Sequence, residues 1–106
     1  MKKISSKRAK ALSIPTWVKM EVYQRDNRRC VYCGRPGNPE AHFISRSKGG
    51  LGIPENIVTL CRECHRMFDQ SIREEREGMR EYLKEYLQSK YPDWDEKKLI
   101  YHKEGL

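Results

Sequence analysis

The sequence predicts a small α+β domain in which two short strands and a helix are tied together by paired cysteines, with helices flanking that unit on both sides. Three observations carry the prediction. The four cysteines form two Cys-x-x-Cys pairs, Cys30/Cys33 and Cys61/Cys64, with 27 residues between them. The intervening segment is rich in Gly and Pro and contains two β-like runs, Ala41–Ile44 and Ile57–Leu60. Beyond the second pair, Ile72, Met79, Leu83, Tyr86 and Leu87 recur at helical spacing.

Each element has a local reason. Ile14-Pro15-Thr16 opens a short helix carrying Trp17, Val18 and Val22 and running to about Arg25. A second helix is expected from near Arg62, with Cys64, His65, Phe68 and Asp69 on it. Ser71-x-x-Glu74 fits a capping box and predicts that a longer helix starts at Ser71. In the tail from Tyr91 to Leu106, the residues Pro92, Trp94, Leu99 and Tyr101 are expected to dock back on the domain. The chain thus divides into a basic arm over 1–13, a cysteine-braced domain over 14–70 and a helical extension over 71–106.

A chain of 106 residues, 35% charged and with a mean hydropathy of −0.94, allows one domain with a thin core and excludes a multi-domain enzyme. It contains no apolar run long enough to span a bilayer, and its first residues lack the apolar stretch of a secretory signal, so a cytoplasmic protein is expected. The net charge is +7, and residues 1–10 contribute five cations and no anion. Such a run reads as a loose tail that holds phosphates, and a basic surface overall suits a polyanion, most commonly nucleic acid.

Two thiolates two residues apart can grip one metal ion from adjacent corners, and a second pair completes a tetrahedron around zinc. Gly34, directly after the first pair, suits the unusual backbone angle of such a knuckle. Two disulfides are the competing reading, disfavoured in a reducing compartment, and thioredoxin-like chemistry lacks its βαβ frame. Four thiolates leave no open coordination position, so this zinc is structural and stabilises a thin core.

The segment between and beside the knuckles carries His42, Asn56, His65 and Asp69. At i and i+4 on one helix, His65 and Asp69 can hold a divalent ion together. The text "YQRDNRRCVYCG" followed by "EAHFISRSKGGLGIPENIVTLCRECHRMFD" resembles the HNH nucleases, and most of all their small phage or prophage forms. The resemblance runs from about Val18 to Asp69. It implies a ββα-metal unit (the His-Me finger) braced by a four-cysteine zinc site, here in a bacterial host cell.

Carried over by position, the resemblance makes His42 the general base and His65 a metal ligand. Asn56 becomes the residue that orders the loop behind the base, and Asp69 an additional ligand. Where the family usually has a ligating residue before the base, this chain has Ala41. Either the ion rests on His65, Asp69, substrate phosphate and water, or Glu40 contributes, or the site is weak or dead; Glu40 is a poor candidate because adjacent strand residues face opposite sides. Mixed nitrogen and oxygen ligands suit magnesium, manganese, nickel or zinc as the catalytic ion.

The expected activity is metal-dependent hydrolysis of DNA phosphodiesters by a monomer, nicking with weak sequence preference. Arg28, Arg29, Arg46, Lys48, Arg62 and Arg66 form the candidate group of phosphate contacts. Two rival readings share the scaffold: a zinc module that binds DNA without cutting, and an accessory factor acting with a phage terminase in DNA packaging.

Overall fold

The computed structural model describes residues 7–102. Helix α1 (Lys7–Leu12) and helix α2 (Thr16–Arg25) precede strand β1 (Asn38–His42) and strand β2 (Ile57–Leu60). Helix α3 (Arg62–Gln70) follows β2 directly, and helix α4 (Arg73–Lys90) leads into the tail. The strands pair antiparallel, with Ala41 opposite Val58 and His42 opposite Ile57. Together β1, β2 and α3 make a ββα unit, the α+β architecture expected from the sequence.

Helix α2 begins after Pro15, whose fixed φ of −65° suits the approach to a first turn. Val18 and Val22, four residues apart, pack on Ile57 in a small core of their own. The helix ends at Asp26, and positive φ angles at Asn27 and Arg28 turn the chain towards the first cysteine pair. A larger core gathers Phe43, Val58 and Leu60 against Met79, Leu83 and Leu87 of α4, so that α4 covers the strand pair.

A buried polar hub joins these layers. The Asp26 carboxylate accepts hydrogen bonds from Nε and Nη2 of Arg25, from the Thr59 amide and from the Tyr86 hydroxyl. Arg25 in turn donates to the carbonyls of Pro54 and Ile57 at 2.9 and 2.8 Å and to the Tyr91 hydroxyl. Two residues at the end of α2 thereby reach β2, α4 and the start of the tail. Paired and almost fully hydrogen-bonded, both charges tolerate burial.

Three local expectations are corrected. Strand β1 spans Asn38–His42 instead of Ala41–Ile44, because Asn56 captures the Ile44 backbone: its Oδ1 accepts from Ile44 N at 2.8 Å and its Nδ2 donates to Ile44 O at 3.1 Å. Pro39 is tolerated there because a two-stranded sheet consists of edges. The Ser71–Glu74 capping box does not form. Ser71 instead closes α3, its amide bonding Met67 O, and α4 starts at Arg73 with no side-chain cap. Ile72 is accordingly 64% exposed.

The third correction concerns the basic arm. Residues 1–6 lie outside the described residues, but Lys7–Leu12 is a docked helix and not a loose tail. Leu12 is only 3% exposed, and the Gly52 amide donates to Ala11 O at 3.0 Å. At the other end of the chain the tail braces the loop after β1. Leu51 N bonds Leu99 O, Tyr101 N bonds Gly49 O, and Trp94 places its ring edge-on to Phe43.

Replacing Asp26 by Ala leaves the Arg25 guanidinium buried without its counter-charge, and stability is expected to fall by about 3–5 kcal/mol. Tyr86→Phe, which removes one donor, is expected to cost only about 1–2 kcal/mol. Denaturant titration of the two zinc-loaded variants checks the order; equal midpoints for Asp26→Ala and the parent would remove the hub from the account.

Candidate functional site

The four thiols converge although 27 residues separate the pairs. Their Sγ atoms all lie within 4.8 Å of one another, and Cys33 Sγ is 3.6 Å from Cys61 Sγ. A regular tetrahedron with Zn–S bonds of about 2.3 Å has sulfur atoms about 3.8 Å apart, so the cluster has the span and donor set of structural zinc. Both knuckles are built alike: the Cys33 amide points at Cys30 Sγ and the Cys64 amide at Cys61 Sγ, each at 3.4 Å. Gly34 supplies the first knuckle's left-handed turn with φ of +87°.

Electrostatics in the cluster favour metal. Burial opposes ionisation of Cys30, yet amides of Cys61, Cys33 and Tyr32 outweigh it and lower that thiol to about 7. Cys64 is pushed up by burial and by the neighbouring thiols. Four crowded sulfurs cannot all carry charge unaided, and a divalent cation at their centre removes the conflict.

His42 ends β1, half-buried, with Nε2 2.9 Å from the Leu12 carbonyl oxygen. A carbonyl only accepts, so Nε2 carries the hydrogen and Nδ1 keeps a free lone pair. Burial lowers the pKa of His42 below its ordinary 6.5. The positive charges of Arg46 and His65 act in the same direction, against the bond to Leu12. The imidazole is therefore neutral at pH 7. Behind it, fully buried Asn56 also donates to Leu51 O at 2.8 Å, tying both ends of the 44–51 loop to the start of β2.

On α3, His65 Nε2 and Asp69 Oδ2 lie 3.7 Å apart, one turn from each other and both partly open to solvent. Asp69 and His42 line one groove of about 620 Å³, together with Ser45, Lys48, Arg73 and Arg76. Ala41 is 1% exposed and packed in the core, away from this lining. Glu40 lies 3.8 Å from Lys19 on α2 and lines, with His42 and Arg46, the adjoining hollow and not the groove that Asp69 lines. The donor pair His65/Asp69 suits a divalent ion completed by substrate and water. Among the described residues, the cysteines are the group in which three or more ligands meet.

Residues 30–69 match the family model described as HNH endonuclease. This segment is an HNH domain. No curated protein matches the chain. The match starts at the first cysteine and ends at Asp69, leaving α1, α2 and α4 outside it. The match ties this segment to nuclease-type or other nucleic-acid chemistry, and no helix among the described residues is long and apolar enough to cross a membrane.

Around the HNH domain the six expected phosphate contacts are scattered. Lys48 lines the His42 groove, and Arg46 lines an adjoining hollow that also reaches His42. Arg28 and Arg29 line a separate depression with Tyr23 and Pro36. Arg62 and Arg66 are exposed on α3. Sequence reasoning missed Arg73, Arg76 and Arg80 of α4, which share the groove with His42. Their i, i+3, i+7 spacing was the available signal, but in a run as mixed in charge as REEREGMRE it reads as a solvated face.

Removing zinc with a strong chelator is expected to unfold the HNH domain. The linkage is on the order of 10–16 kcal/mol, more than a domain of this size holds in reserve. Cys64→Ser is expected to give the same loss without chelator. Circular dichroism with metal analysis checks both; a folded, metal-free protein would exclude the structural role.

Proposed function

We propose that the chain is a metal-dependent endonuclease that hydrolyses DNA phosphodiesters, nicking duplex DNA with weak sequence preference. One observation carries the reading: a single groove unites a neutral histidine whose Nδ1 is free with the carboxylate of an adjacent His/Asp pair on the thiol-clamped helix. Phosphodiester hydrolysis needs an activated water and charge neutralisation at the phosphoryl group, and these two features answer those needs.

In this mechanism His42 Nδ1 takes a proton from the attacking water. The water oxygen bonds to phosphorus as the bond to the 3′ oxygen breaks, and that oxygen takes a proton from solvent, leaving a 5′ phosphate and a 3′ hydroxyl. As His42 becomes cationic, its Nε2–H bond to the Leu12 carbonyl strengthens, which stabilises the charge where it develops. His65 and Asp69 would hold the divalent ion. When bound, that ion supplies Lewis-acid stabilisation of the phosphoryl and leaving oxygens. Asn56 is a positioning residue that fixes the loop behind His42.

Among the described residues one groove carries both His42 and Asp69, which supports nicking by a monomer, and the HNH match supports DNA as substrate. The phage or prophage type and the bacterial cytoplasm follow from the resemblance in "HFISRSKGGLGIPENIVTLC". Ala41 is the observation that favours a binding module without catalysis, because it removes one ligand. An accessory role beside a phage terminase would use the same chemistry in a different assembly.

His42→Ala is expected to lower plasmid nicking about 10²–10⁴-fold with zinc content and DNA affinity retained. Nicking by this variant at the parental rate would refute the base assignment. Because the folded pKa lies below 6.5, the base is protonated and inactive only in acid. The rate is expected to rise with pH on the acid side of 6.5 and to be level by pH 7.

A side chain at Gly52 would put Cβ 1.9 Å from Ser13 O and push α1, with its carbonyl, off His42. Gly52→Ala is accordingly expected to reduce kcat with KM little changed. An unchanged kcat would show that α1 does not orient the base.

A further inference from the structure

The groove beside His42 has a wall that the HNH match does not include. That wall is the first half of α4, and its cations are unevenly committed. Arg80 stacks over the Phe43 ring at 4.6 Å and pairs with Glu96, so it is spoken for by the fold. Arg73 pairs with Glu77 at 3.1 Å, but the two side chains are 82% and 64% exposed. An exposed pair of that kind contributes little and is readily exchanged for a phosphate. Arg76 and Lys48 are exposed and have no ion pair among the described residues.

The spacing suits a strand. At about 1.5 Å per residue, α4 sets Arg73 and Arg76 about 4.5 Å apart along its axis. One DNA strand presents a phosphate about every 3.4 Å of duplex axis, so the two side chains suit adjacent phosphates. The remaining cations of α4 face elsewhere. Lys84 lines a different depression with Asp93 and Asp95, and Lys90 sits over the Tyr86 ring. Three of the five cations of α4 thus lie where the helix meets the His42 groove, with Glu77 the carboxylate of α4 that also lines it.

We propose that Arg73 and Arg76 of α4, with Lys48 beside them in the groove, hold the phosphates flanking the one presented to His42. The inference deepens the nuclease reading and rests on it for the placement of the scissile phosphate. The occupant is a single polynucleotide strand within a duplex, gripped by its backbone. Such contacts carry no base readout, which agrees with weak sequence preference. Arg80 acts differently: stacked and paired, it fixes the wall against Phe43, the residue next to the base.

The test measures binding in a His42→Ala background, so that substrate survives. A zinc-loaded protein carrying R73E and R76E is titrated with a fluorescent duplex oligonucleotide across a salt series. Affinity is expected to fall at least about 100-fold at low salt. The slope of log K against log salt is expected to shrink by about 1.8, at about 0.9 per lost phosphate contact. K84E makes one such charge reversal, half the total, off the groove and is expected to bind within about twofold of its parent.

If the R73E/R76E protein binds within twofold, keeps its salt slope, or weakens no more than K84E, the wall is wrong. If the parent shows no salt-dependent binding at all, it is also wrong. Failure of the protein with His42 intact to cleave DNA with any divalent ion would instead overturn the nuclease reading and leave the binding result standing.

Discussion

Closure of four thiols from two distant knuckles is the constraint on which the rest of this structure depends. Strands β1 and β2 are five and four residues long, and a two-stranded pair is at best marginally stable alone. The cysteines meet at one end of that pair. Cys61 ends the approach to α3 and caps it, its sulfur accepting the Cys64 amide. Fixing Cys61 and Cys64 therefore fixes the first turn of the helix that carries His65 and Asp69. Fixing Cys30 and Cys33 against them fixes where the chain enters β1, and hence where His42 emerges.

That dependence explains what could be read from the sequence. Metal ligation demands cysteine at a set spacing, so Cys30, Cys33, Cys61 and Cys64 declare their partnership without any knowledge of the fold. His65 and Asp69 are legible for a similar reason: both sit on one short helix, where i and i+4 share a face. Strand β2 is legible because all four of its residues are buried and apolar or β-branched. Helix α4 is legible in its second half, where Met79, Leu83 and Leu87 keep a regular stripe.

Most of the illegible parts depend on contacts between residues far apart in sequence. The shift of β1 comes from Asn56 bonding the backbone of Ile44, twelve positions earlier. Ser71 and Glu74 have the composition of a capping box, but the end of α3 claims Ser71 first. The hydrogen-bond partner of His42 is a backbone carbonyl thirty residues upstream, and backbone atoms leave no trace in composition. The buried hub at Arg25 and Asp26 looks, in the sequence, like two ordinary charges at a helix end.

The division of labour in the site follows from these contacts. The thiol-clamped segment brings β1 and α3 together, yet it does not by itself orient what they carry. The His42 tautomer is set by α1, which Gly52 and buried Leu12 hold in place. The loop behind His42 is held from inside by Asn56 and from outside by the tail at Leu99 and Tyr101. Phe43 is pinned by Arg80 of α4 and by Trp94 of the tail. The metal-braced core therefore supplies position, and the flanking helices supply orientation. A short ββα unit has little interior of its own, and its buried Phe43, Val58 and Leu60 are completed by Met79, Leu83 and Leu87 of α4 and Leu99 of the tail.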